Sequence, residues 1–198
     1  VKSYVDINQF NNDFKKGQIH FPVFIKPYNG SCSLNIQKIH TYEELNFFVK
    51  QYDNLMIQEY MEGKEYGADV YVDLVSKETV SIFVKEKLLM RAGETDKSVS
   101  YKNASLFSLI EEFVSKMGFI GQIDIDIFEK NCEFYISEVN PRFGGGYPHA
   151  YECGCNFPKY MINNMYGKSN KKEIGIYQEG VYMMKYLDVL TREKKDVK

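Results

Sequence analysis

Two stretches of the sequence gather oxygen ligands at short spacing. Asp124 and Asp126 stand in the alternating run Gln122-Ile-Asp-Ile-Asp-Ile-Phe128, and Glu138 and Asn140 close the alternating run that begins at Glu133. A two-residue period puts Glu138 and Asn140 on one face of a strand. A hairpin turn at Lys130-Asn131 then sets Asp124 beside them on the partner strand. Two carboxylates and an amide oxygen suit Mg2+ (or Mn2+), which takes a few carboxylates and keeps positions open for phosphate oxygens. Apolar residues at 123, 125, 127, 134 and 136 assign the opposite face to the core, so the acidic face looks into water or into a cleft. Arg142 follows Pro141, and a guanidinium there can grip a phosphoryl or carboxylate group in bidentate fashion. A plain solvent-facing polar strand would show the same pattern.

Two further segments carry chemistry. Lys26 ends the apolar run Phe21-Pro-Val-Phe-Ile-Lys26 and is followed by Pro27-Tyr-Asn-Gly-Ser-Cys-Ser33. A strand-end ammonium next to a Gly/Ser loop can bring a charge and several backbone amides onto phosphate oxygens. It is not a Walker loop, and the Gly167-Lys168-Ser169 further on has Ile162 where that motif needs its first glycine. Gln58-Glu-Tyr-Met-Glu-Gly-Lys-Glu65 reads as a strand with free backbone groups for a flat heterocycle edge and a carboxylate for sugar hydroxyls. Taken alone, it also fits an edge strand and a solvated acidic turn.

These residues need strands to hold them. Residues 21–26, 55–60, 66–74 and 79–85 are β-rich runs, the last two antiparallel across Ser76-Lys77-Glu78. Thr41-Tyr-Glu-Glu44 is a capping box that opens a helix with Leu45, Phe48, Val49 and Tyr52 on one stripe. Leu106, Leu109, Ile110, Phe113, Val114 and Met117 follow a helical period that Gly118 stops. Residues 87–102 read as a polar, irregular, mobile loop; Lys85, Lys87 and Arg91 lead into it and either reach a phosphate or substrate carboxylate or are simply solvated. Gly144-Gly-Gly-Tyr-Pro-His149 must be a loop next to the acidic strand, and His149 reads better as structural than as an acid or base. Strand pairs and helices without a βαβ rhythm predict an α+β fold, with a smaller part over 1–62 and a larger one over 63–198. A cleft at their junction is a natural ligand site.

Composition excludes several classes. The 198 residues hold 44% apolar and 26% charged side chains, an ordinary globular mix. A formal charge of −2 argues against a nucleic-acid binder, and no apolar run approaches the roughly 18 residues of a membrane span. Four cysteines in a core-rich chain of this size predict reduced thiols in a cytoplasmic protein, and Cys153-Gly-Cys155 has the wrong spacing for a zinc knuckle.

In order and spacing, the strand lysine with its Gly/Ser loop, the Glu-x-Met-x-Gly-x-Glu segment and the Glu-x-Asn-Pro-Arg close resemble the ATP-grasp superfamily over residues 18–155. The Asn-Pro-Arg form resembles the carbamoyl-phosphate synthase large-subunit and biotin carboxylase branch. The resemblance implies two α+β lobes gripping ATP. It implies that Lys26 binds α/β-phosphate oxygens, that Gly30, Ser31 and Ser33 close over the β/γ-phosphates, that Glu59 and Met61 contact adenine and that Glu65 holds the ribose. Asp124, Glu138 and Asn140 would ligate Mg2+, and Arg142 would touch the transferred group, as catalytic partner to Lys26. The implied reaction joins small-molecule carboxylate and amine substrates through an acyl-phosphate. A non-catalytic nucleotide-binding regulatory or scaffold module is the second reading. Two departures stand out. Leu34-Asn35-Ile36 lacks the loop's second glycine, where asparagine is the next best residue for a positive φ. The family's N-terminal α/β domain is also absent from these residues, which makes that domain, or a separate subunit, an expected partner along with a second copy in a homodimer.

Overall fold

The computed structural model describes residues 1–29, 36–186 and 188–191. The chain starts with β1 (Ser3–Tyr4), α1 (Ile7–Lys15), β2 (Val23–Pro27), β3 (Gln37–Ile39), α2 (Tyr42–Gln51) and β4 (Leu55–Glu59). Their four strands form one antiparallel sheet in the order β1-β4-β2-β3. Asp6 caps α1 by accepting from Asn8 N, and Thr41 caps α2 by accepting from Glu44 N. The Glu44 carboxylate reaches back to His40 N, one residue earlier than a capping box expects. Both helices lie on one face, where Phe10 and Leu45 pack with Val23, Ile25, Ile39 and Ile57. Alternation along β2 sends Val23 and Ile25 into that core and leaves Lys26 on the other face.

The second sheet has six antiparallel strands in the order β10-β7-β6-β5-β8-β9. They are β5 (Lys64–Val72), β6 (Thr79–Arg91), β7 (Glu94–Tyr101), β8 (Gly121–Lys130), β9 (Glu133–Asn140) and β10 (Tyr182–Met184), with α3 (Ala104–Met117), α4 (Tyr147–Glu152) and α5 (Phe157–Met165) among them. One face buries Tyr66, Ala68, Val70, Ile82, Ile123, Ile125 and Ile127 against Leu106, Ile110 and Val114 of α3. Each of the Val, Leu and Ile side chains contributes about 1.5–3 kcal/mol of hydrophobic stabilisation, so this layer anchors the sheet. Gly118 ends α3 in the left-handed conformation, φ 69°. Part of the other face is covered by α4 and α5, which pack Tyr147, Phe157 and Tyr160 on Tyr71, Val80 and Phe83. The uncovered remainder carries the charged residues.

Residues 87–102 are not a loop. β6 runs to Arg91, turns through Ala92 and Gly93 at φ 50° and 79°, and returns as β7. The segment looked irregular because its buried residues are polar: Thr95, Asp96, Ser98 and Ser100. Ser98 bonds to His149 and Ser100 to Gln178 O, so partners elsewhere in the fold satisfy what a polar strand would leave exposed. The β8–β9 turn falls on Asn131-Cys132, φ 54° and 63°, one residue later than the spacing suggested. Among the described residues no helix is long and apolar enough to cross a membrane, and Cys132, Cys153 and Cys155 are unbridged.

Candidate functional site

The acidic hairpin is assembled by a bulge. Asp124 pairs with Asn140 and Asp126 with Glu138, yet Ile127 pairs with Ile136, so Ser137 is the extra residue. In an unbroken strand Ile136 and Glu138 would share a face. The bulge lets Ile136 join the core while Glu138 and Asn140 turn to the opposite side with Asp124 and Asp126. Ser137 also carries the bulge toward the first sheet, where Gln58 Nε2 donates to its carbonyl at 3.4 Å.

Across the gap, Lys26 Nζ lies 2.7 Å from Glu138 Oε2, and Asn140 Nδ2 donates to Glu138 Oε1 at 3.1 Å. Burial pushes the Glu138 carboxyl up, but the Lys26 ammonium and the Asn140 amide outweigh it and hold the group below the ordinary carboxylate range. Asp124 goes the other way. Its carboxyl is raised to about 6, chiefly by burial and further by Asp126 and Asp69, with Lys85 opposing.

Behind these residues lie two lysines that the sequence reading had assigned to the approach of a loop. Lys85, 1% exposed, pairs with the fully buried Asp69. Lys87 donates to Glu65 and Asp126, both at 2.7 Å. Burial opposes the charge on Lys87, but those two carboxylates hold its pKa above the usual lysine value. Gly144, Gly145 and Gly146 then pass directly over the site. A β-carbon at Gly144 would lie 2.5 Å from the Asp124 carboxyl, one at Gly145 2.6 Å from Glu94 Cδ, and one at Gly146 2.6 Å from Lys85 Cε. At Gly144 and Gly146 this close backbone approach, against the Asp124 carboxyl and the buried Lys85, leaves no room for a side chain.

Asp124, Glu138, Asn140 and Lys26 therefore come together. Arg142 sits just beyond, donating to Phe143 O at 3.0 Å, and its charge helps the Lys185 contact hold the Glu94 carboxyl below its ordinary range. Glu59 lies farther along the junction, 3.5 Å from Lys130, and the Met61 side chain is buried. Glu65 faces Lys87 on the floor of the site. Gly30, Ser31 and Ser33 lie outside the described residues. His149 is buried, with Nδ1 2.8 Å from Ser98 Oγ and Nε2 3.0 Å from Val181 O, which is a structural role. Sequence reasoning missed Asp69 and Gly67. A lone glycine inside the β-rich run Lys64-Glu-Tyr-Gly-Ala-Asp-Val was the available signal for Gly67.

Among the described residues no three His, Cys, Asp or Glu side chains converge tightly enough to cage a metal ion alone. The donors present nevertheless fit Mg2+, which needs only one or two carboxylates when phosphates supply the rest. The carboxylates of Asp69, Asp124, Asp126, Glu138 and Glu65 outnumber the ammonium groups of Lys26, Lys85 and Lys87, so a cation would relieve the surplus of negative charge.

The comparisons bear on the fold and the family. No curated protein sequence matches the chain. Among solved structures it is similar to the biotin carboxylase domain dimer of Hydrogenobacter thermophilus 2-oxoglutarate carboxylase in complex with MgADP, ADP and bicarbonate. That match has TM-score 0.72 and 15% identity, and covers 89% of this chain and 43% of that one. It is also similar to Staphylococcus aureus N5-carboxyaminoimidazole synthetase complexed with ADP, at TM-score 0.68 and 15% identity, over 86% of this chain and 48% of that one. A third is Campylobacter jejuni biotin carboxylase in a β-γ-ATP complex, at TM-score 0.62 and 15% identity, over 76% and 38%. The chain thus spans less than half of each of these proteins. At such identity the likeness is one of fold, but a family model described as an ATP-grasp domain matches residues 11–146, well over half of the sequence. The chain belongs to the ATP-grasp family.

Proposed function

We propose that this chain is the ATP-binding catalytic region of a cytoplasmic, ATP- and Mg2+-dependent carboxylate–amine ligase resembling carbamoyl-phosphate synthase. In this reading a carboxylate takes the γ-phosphoryl group of ATP, and an amine displaces phosphate from the acyl-phosphate. The observation that carries it is the meeting of Lys26 from one sheet with Glu138 from the other, beside Asp124 and Asn140. Residues 1–62 act as the small lobe and 63–198 as the large lobe, with the nucleotide between them.

Each residue then has a task. Lys26 exchanges its Glu138 partner for α/β-phosphate oxygens. Asp124, Glu138 and Asn140 hold the metal, which when bound neutralises charge on the phosphates. Arg142 grips the transferred group or the acyl-phosphate. The buried side chain of Met61 leaves its backbone for the adenine edge, with Glu59 beside it. Glu65, steadied by Lys87, takes the ribose hydroxyls. Phosphoryl transfer asks for positioning and charge neutralisation more than for a protein nucleophile, and this site offers those two things. An N-terminal domain or separate subunit supplies the rest of the acceptor pocket, and the working assembly is a homodimer.

The second reading, a nucleotide-binding module without turnover, draws on Leu34-Asn35-Ile36, where the loop's second glycine is missing. ADP release on adding carboxylate and amine to the MgATP-loaded protein separates the two. Millimolar MgATP or MgADP should raise the melting temperature under either. A flat response to both nucleotides overturns both.

A further inference from the structure

Gly67 lies in the middle of β5, between its cross-strand neighbours Lys85 on β6 and Asp126 on β8. Its φ is outside the left-handed region, so the backbone does not require glycine there. What requires it is space. A β-carbon at Gly67 would lie 3.2 Å from Cε of Lys85 and 3.2 Å from Cε of Lys87. Lys87 starts on β6 and ends on Asp126 of β8, so its side chain crosses the whole width of β5 above Gly67. Two strand spacings are about 9.5 Å, a reach that any side chain in between would block. Neither lysine can move aside. Lys85 is hemmed in by Gly146 on its other flank and locked to buried Asp69, while Lys87 is held by two carboxylates.

We propose that Gly67 is a positioning residue for nucleotide binding: its missing side chain is the slot through which Lys85 leans to Asp69 and Lys87 to Asp126, and this crossing fixes the place and charge of the acidic floor beneath the nucleotide. The inference rests on the nucleotide reading above. Gly67→Ala tests it through two readouts that a merely structural role would move together. Alanine's preference for a strand offsets part of the crowding against Lys85 and Lys87, so the melting midpoint should fall by no more than a few degrees. The affinity for MgADP, measured by titration calorimetry, should fall at least fivefold. In a Lys87→Ala background the same substitution should cost less affinity than in the wild type, because part of its target is gone.

Equal MgADP affinity in wild type and Gly67→Ala overturns the inference, as does a variant without a melting transition or a strictly additive double variant. A wild-type protein that binds no MgADP removes the nucleotide reading itself, and this inference with it.

Discussion

Lys26 and Glu138 meet at 2.7 Å although they belong to different sheets and are 112 residues apart in sequence. The pair is half-open to solvent on the glutamate side, with 43% of that side chain exposed, so it contributes no more than about 1 kcal/mol to stability. Its importance lies in placement, since it marks where a cationic arm and an acidic floor face each other. Glu138→Gln should therefore melt within a few degrees of the wild type. It should lose the Mg2+-dependent part of its nucleotide response in a thermal-shift assay, and ADP release with it. A large fall in melting temperature would instead make the acid a structural one.

Gly144 gives a sharper test of the floor. Its β-carbon would collide with the Asp124 carboxyl at 2.5 Å, and Asp124 is held between β5 and β9 with little room to withdraw. Gly144→Ala must therefore shift the loop or the carboxylate, at about 1–3 kcal/mol. Urea denaturation should show that loss, and Mg2+ dependence should weaken further than stability alone explains. Unchanged stability with unchanged Mg2+ response would mean that the loop does not touch the acid.

Asp73 anchors the other end of the large sheet. Its carboxylate accepts from Val75 N, Ser76 N, Asn164 Nδ2, Asn170 N and Asn170 Nδ2 while fully buried. Burial alone would raise its pKa, but these hydrogen bonds hold it below the ordinary carboxylate range. Stability from this group is present above about pH 4 and is lost as the pH falls further. Asp73→Ala strands these five donors, and chemical denaturation should show a loss of about 2–4 kcal/mol with nucleotide binding intact.

What was legible in the sequence was what short-range patterning determines. The α2 cap at Thr41, the α3 stop at Gly118 and the acidic hairpin all follow from residues within a few positions of each other. The bulge at Ser137 was not legible. Ile136 and Glu138 are two apart and were nonetheless assigned to opposite faces, which no regular strand permits. β7 was missed because Ser98 and Ser100 find their partners 51 and 78 residues away. Lys85 and Lys87 could be read only as phosphate-reaching or solvated lysines at a loop, since nothing near them in sequence shows the buried acids they pair with.

His149 carries the clearest pH signature away from the acidic floor. Its ring is 2% exposed, sits 5.0 Å from the Phe83 ring, and has Ser98 and the Val181 carbonyl on its two nitrogens. Burial first, and the Lys85 charge second, lower its pKa from 6.5 to about 4. The folded imidazole is therefore neutral where the unfolded one takes a proton. Stability from this site is complete above about pH 6.5 and drains away as the pH falls toward 4, by up to about 3 kcal/mol. His149→Gln cannot titrate, so it should be less stable than the wild type at pH 7.5 by an amount that shrinks steadily toward pH 4. Urea midpoints at half-unit steps would show this convergence. Parallel curves for the two proteins would mean that folding leaves the imidazole pKa unchanged, and that burial and Lys85 do not govern it.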